Sequence, residues 1–190
     1  MKQAHQERIE AAKLRQGNVI RVLLEQHARI RDLFAAVKDA EGERKVKLFG
    51  ELRALLAVHE AAEEMVLRPI SRQCAGARVV EARNREEQEA AQTLAELERL
   101  DPQSLAFNAR LLELEQAVSS HADHEEREEF PSVLAERSET ELKHLGSTLT
   151  AAERVAPTHP HPAAAGSPSA PWVVGPFAGM LDRARDVFRG

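Results

Sequence analysis

An eleven-residue pattern made of metal-ligand residue types occurs twice in this chain, and it restricts the fold to helices that face one another. The first copy runs from His59 through Glu63 and Glu64 to Pro69, the second from His121 through Glu125 and Glu126 to Pro131. In both, a Glu-Glu pair begins four residues after the His, and a Pro follows ten residues after it. On an α-helix, positions i and i+4 lie one above the other on the same face, so each copy aims an imidazole and a carboxylate in one direction. Two such helices face to face would bring two nitrogen and two oxygen donors to a shared site.

The sequence around the copies has the periodicity of four amphipathic helices. After a first helical stretch that Gly17 interrupts, Asn18 is a good N-cap. From there Ile20, Leu23, His27, Ile30, Phe34 and Val37 form a narrow apolar stripe with one polar member at its centre. The second stripe is Phe49, Leu52, Leu56, His59, Glu63 and Val66, expected to end near Pro69 and the Gly76 loop. The third is Val80, Arg83 or Asn84, Glu87, Ala90/Ala91, Leu94 and Leu97. The fourth is Phe107, Leu111, Leu114, Val118, His121 and Glu125, expected to stop before Pro131. His27 precedes His59 much as Glu87 precedes His121, so the chain reads as two helical hairpins of similar design. Short connections make this an all-α, antiparallel up-down-up-down four-helix bundle. Aromatics are only 4% of the chain, and Ala, Leu, Glu and Arg dominate, as suits helices.

The expected organisation is a helical extension over 1–17, the bundle over 18–150, a Pro/Ala-rich linker over 151–175 and an amphipathic C-terminal helix over 176–190. That last segment sets Phe177, Met180, Leu181, Val187 and Phe188 against Asp182, Arg183, Arg185 and Asp186. Its balanced charges favour docking on the bundle or on a partner chain over a membrane surface. A net charge of −5 without any basic stripe excludes a nucleic-acid partner. One cysteine, Cys74, no run of membrane-spanning length and no signal-like N-terminus give the expectation of a cytoplasmic protein.

Each stripe carries its ligand-type residue near the middle, at one level of the bundle. Burying such ionisable groups without a partner costs several kcal/mol per unpaired charge, roughly, and a metal cation supplies that partner. Imidazole and carboxylate without thiolate suit iron, manganese or zinc. Two divalent ions against the carboxylates Glu63, Glu87 and Glu125 leave a small positive balance, which favours a dinuclear site with an oxo or hydroxo bridge.

These residues resemble the hemerythrin-like, or HHE cation-binding, family over roughly residues 18–140. That family binds two non-haem irons through a first-helix His, a His-x-x-x-Glu on the second helix, a third-helix His and a His-x-x-x-Glu on the fourth. His27, His59, Glu63, His121 and Glu125 match this pattern residue by residue. The resemblance implies bridging roles for Glu63 and Glu125 and terminal roles for the histidines. The departure is on helix three, where the chain reads Arg85-Glu86-Glu87-Gln88-Glu89. The stripe points to Glu87 as the sixth ligand, and a one-residue slip would make it Gln88; in neither case is it imidazole.

The implied function is binding or sensing of dioxygen, peroxide or nitric oxide at a di-iron site. The alternatives are a di-iron oxidase or catalase-like enzyme, and a structural bundle with a degenerate metal site. Glu64 and Glu126 lie a step off the stripes. His124 is expected to face solvent, and Cys74, His159 and His161 join no constellation.

Overall fold

The computed structural model describes residues 2–154; the expected linker beyond that point and the amphipathic segment over 176–190 lie outside the described residues. The described chain is helical: α1 (Lys2–Lys13), α2 (Val19–Asp39), α3 (Gly42–Ala62), α4 (Arg68–Cys74), α5 (Ala77–Leu97), α6 (Leu105–His124), α7 (Phe130–Glu136) and α8 (Glu139–Glu153). Helices α2, α3–α4, α5 and α6–α7 form the antiparallel up-down-up-down four-helix bundle. The extra helix α1 lies along α2, while α8 packs against α2 and α3.

Local chemistry sets the starts. The Asn18 side chain accepts the Ile20 N–H at 2.9 Å, and Ser104 does the same for Phe107 at 3.1 Å. Ser138 and Glu141 form a reciprocal capping box that opens α8. The sequence reading carries the bundle to residue 150 without a separate element here. α8 seats on the α1–α2 turn through Gly146: a Cβ at that position would lie 2.1 Å from the Gly17 carbonyl oxygen.

The fourth helix does not stop before Pro131, contrary to the expectation, and the second runs past Pro69 to the Gly76 loop. Each passes through a π-helical turn, Glu63–Leu67 and Glu125–Glu129, and then resumes. A proline donates no N–H, and in a regular helix its ring collides with the carbonyl four residues back. Widening the preceding turn removes that collision: the Arg68 N–H reaches the Glu63 carbonyl and the Phe130 N–H that of Glu125. Pro69 and Pro131 then fall in the first turn of α4 and α7, where a missing donor costs nothing. Both π turns begin at the glutamate of a His-x-x-x-Glu motif.

Two apolar clusters fill the bundle. One holds Phe34, Phe49, Leu52, Leu97, Phe107, Leu111 and Leu114; the other holds Ile20, Leu23, Ala62, Leu67, Phe130, Val133 and Leu149. On α2, α3 and α6–α7 the histidines of the stripes fall between these two clusters. Among the described residues no helix is long and apolar enough to cross a membrane.

Candidate metal centre

All six residues singled out in the sequence are buried at this level: His27 on α2, His59 on α3, Glu63 and Glu125 at the heads of the two π turns, Glu87 on α5 and His121 on α6. They fall into two groups. His27, His59, Glu63 and Glu125 offer ligand atoms within 4.8 Å of one another, and so do Glu60, Glu63, Glu87 and His121. Glu63 belongs to both. Glu125 reaches both halves with different oxygens: Oε2 lies 3.3 Å from His27 Nε2, and Oε1 lies 3.3 Å from His121 Nε2. Of the two helix-three candidates, Glu87 enters the cluster, with Oε1 3.9 Å from His121 Nε2, while Gln88 lies half-buried outside it.

The imidazoles are oriented from neighbouring helices. His59 Nδ1 lies 2.7 Å from Gln26 Oε1, His27 Nδ1 lies 2.8 Å from Glu126 Oε1, and His121 Nδ1 lies 3.1 Å from Glu86 Oε2. Each outer nitrogen therefore faces an oxygen, which holds a proton on Nδ1 and turns Nε2 inward, the arrangement that suits a metal-ligating histidine. Glu126 thus has a definite contact on His27. His124, expected to face solvent, is instead half-buried with Nδ1 2.9 Å from Glu86 Oε1. Its position one turn from Glu86's contact with His121 draws it inward.

Several residues of the centre escaped the sequence reading. Glu60 is one position past His59 and three before Glu63, so it borders the same helix face; that spacing was the available signal. Gln26 and Glu86 each immediately precede a stripe residue, a position that points toward a neighbouring helix. Arg68 stands just before Pro69, where the second copy has Phe130, and that difference between the copies was legible.

The electrostatics of this layer are severe. Burial and the neighbouring Glu87 push Glu60 up to about 8. Burial and Glu125 hold Glu63 well above the carboxylate range. Burial and His27 press His59 well below the usual histidine value. Burial also opposes charge on His27 and His121, but the adjacent carboxylates outweigh it, raising His27 to about 9 and His121 strongly. Glu125 is held low despite burial, because His121 and Arg68 flank it. Both oxygens of Glu63, one oxygen each of Glu60 and Glu125, and Nε2 of His27 and His121 are buried with no hydrogen-bond partner. Unpartnered buried atoms of this kind cost on the order of 1–3 kcal/mol each. They are nitrogen and oxygen donors that converge, so the residues fit a metal of the iron, manganese or zinc type.

Arg68 enters the same layer. Its guanidinium bonds Glu87 through Nε at 3.0 Å and also through Nη2, and it reaches Glu125 at 2.8 Å, Glu129 at 2.7 Å and Glu63 at 3.5 Å. Beside the histidines lies a small cavity of about 10 Å³, measured for the centre of a water-sized sphere. Its lining includes the polar His27, His59, Glu60 and His121 and the apolar Ile30, Phe34 and Val118. That is room for about one water or a molecule of similar size.

Comparisons with known proteins bear on the family and the fold. The chain is 30% identical over 135 residues to an uncharacterized hemerythrin-like protein of Schizosaccharomyces pombe, covering 70% of this chain and 66% of that protein. The fold resembles the crystal structure of a hemerythrin HHE cation binding domain-containing protein from Mycobacterium kansasii, with a TM-score of 0.64 at 24% identity over 70% of this chain and 83% of that one. The profile of the Hemerythrin HHE cation binding domain matches residues 18–133, the whole span of helices that carries both ligand groups. The chain belongs to the hemerythrin HHE cation-binding family, a family of metal-binding proteins.

Proposed function

We propose that this chain is a non-haem di-iron protein that binds or senses dioxygen, peroxide or nitric oxide. The observation that carries the reading is the pair of ligand groups joined by Glu63 and spanned by the two oxygens of Glu125. His27, His59 and His121 would be terminal ligands, Glu63 and Glu125 bridges, and Glu87 with Glu60 would complete the α5–α6 half. Iron at these positions would supply an open coordination site and accessible redox states. The chain's own part is to fix the imidazoles through Gln26, Glu86 and Glu126, and to exclude bulk water with Phe34, Ile30 and Val118. The cavity against the histidines limits the ligand to a few atoms.

A second reading, turnover of peroxide, has Glu60 in its favour. This carboxyl borders the cavity and, where Glu87 alone completes the second metal position, is left free to give a proton to a bound molecule. The absence of Tyr removes one common redox partner and keeps this reading second.

The test is the metal content of the full chain, purified without added metal and again after anaerobic iron loading, followed by spectra with dioxygen, nitric oxide and peroxide. Close to two irons per chain with a ligand-dependent spectrum supports the first reading. Catalytic loss of peroxide that disappears in Glu63→Ala supports the second. No metal under either condition overturns both and leaves a structural bundle with a degenerate site.

A further inference from the structure

The two halves of the ligand cluster come from one local pattern repeated 62 positions apart, and the repeat pairs His59 with His121, Glu63 with Glu125 and Pro69 with Pro131. It also pairs Arg68 with Phe130, each the first residue after its π turn. Each reaches across to the first helix of the other half, and the two do different work there. Phe130 stacks on the His27 ring, with centroids 5.7 Å apart and planes at 16°. Arg68 instead grips the Glu87 carboxylate through Nε and Nη2.

We propose that Arg68 and Glu87 are a matched replacement for the Phe130 and His27 pair, and that Arg68 is a resident cation which makes the two metal positions load unequally. The position at His27, His59, Glu63 and Glu125 fills first; the Glu87 position fills against the hold of Arg68 on its carboxylates. This deepens the reading of the chain as a dinuclear metal protein and rests on it.

A guanidinium does not lose its proton in a protein, so its charge stays in the layer whatever the metal does. It is buried, and it contacts four carboxylates, two of which, Glu63 and Glu125, would bridge the metals. A divalent ion at the Glu87 position competes with Arg68 for Glu87 and is repelled by it at short range in a site shielded from water. At the other position the corresponding neighbour is an uncharged ring, and Arg68 competes there only for the shared Glu63 and Glu125, with no hold on a ligand of that position alone. The arrangement also accounts for an acid where the family places a histidine: the added negative charge of Glu87 is met by the buried positive charge of Arg68.

The experiment uses the full chain, stripped with a chelator and titrated calorimetrically with manganese(II), alongside melting temperatures in chelator and in excess metal. The variants are Arg68→Phe, the double change R68F/E87H and the charge-preserving Arg68→Lys. The native chain is expected to bind in two resolved steps, the second about tenfold or more weaker, within the range by which groups supporting a metal site alter affinity. In R68F/E87H the steps should converge to within about threefold, and Arg68→Lys should keep them apart. Arg68→Phe alone should melt several degrees lower in chelator, because Glu87 and Glu129 lose their cation, and should recover in the double variant. If Arg68→Phe fails to fold, the comparison of the native chain with the double variant and Arg68→Lys still decides. Two equal steps in the native chain, or a gap unchanged in R68F/E87H, overturns the role of Arg68 while leaving the dinuclear reading intact. No binding and no metal-dependent rise in melting temperature in any form overturns both.

Discussion

Gln26 Oε1 lies 2.7 Å from His59 Nδ1, and the same amide donates through its nitrogen to Glu153 on α8. An amide oxygen can only accept, so this contact places the His59 proton on Nδ1 and leaves Nε2 with its lone pair toward the cluster. A helix outside the four-helix bundle thereby helps to orient one of the candidate ligands.

Breaking that chain should weaken metal binding without unfolding the protein. In Gln26→Leu the affinity is expected to fall about 10–100-fold, and in Glu153→Ala by less, since the amide can still meet His59. Competition titration against a metal-sensitive dye gives the numbers. Unchanged affinity in Gln26→Leu would show that packing alone holds the imidazole.

Metal should stabilise the native chain, because it binds the folded state alone. At a free concentration of about 100 times its dissociation constant the gain is roughly 2.7 kcal/mol, or several degrees in melting temperature. His121→Ala and Glu63→Ala should lose most of that metal-dependent rise. A rise that survives both changes would place the metal elsewhere.

The chelated protein should lose stability as pH rises from 6.5 to 9. The Glu60 carboxyl, at about 8 against an ordinary 4.5, binds its proton more tightly when folded, so its contribution declines between those values. The His27 contribution is complete below its ordinary 6.5 and is lost as pH rises through about 9. His59, held low, and Glu125, held low, act in the other direction and cost stability as pH falls. The chelated protein should therefore melt highest on the acid side of neutrality, and saturating metal, which displaces these protons, should flatten the alkaline decline. Melting curves at several pH values, with chelator and with metal, would reveal a parallel decline in both if this account is mistaken.

Gly146→Ala should destabilise the protein far from the metal layer. Its Cβ would meet the Gly17 carbonyl oxygen at 2.1 Å, and that oxygen is backbone, so either α8 or the α1–α2 turn must move. The expected cost is about 1–3 kcal/mol, read by denaturant unfolding, with metal affinity altered through displacement of Glu153. Gly50→Ala, with nothing within 4 Å of its added Cβ, serves as the control and should be close to neutral or stabilising.

The four helices and the face each one buries were legible in the sequence because helical periodicity is local: Ile20 to Val37 or Phe107 to Glu125 states its inward side without reference to any neighbour. The same locality made His27, His59, Glu63, Glu87, His121 and Glu125 conspicuous, as polar residues on apolar stripes. It left Glu87 and Gln88 unresolved, since a one-residue slip is a rotation that only packing against α6 decides. It also misjudged Pro131, because the relief of a proline by a π turn depends on the bundle holding the helix on both sides of it. Arg68, Glu60, Gln26 and the docking of α8 through Gly146 belonged to the tertiary structure for one reason. Each is defined by what it meets across a helix interface, and the charge of Arg68 acquires its meaning only when four carboxylates from three other segments close around it.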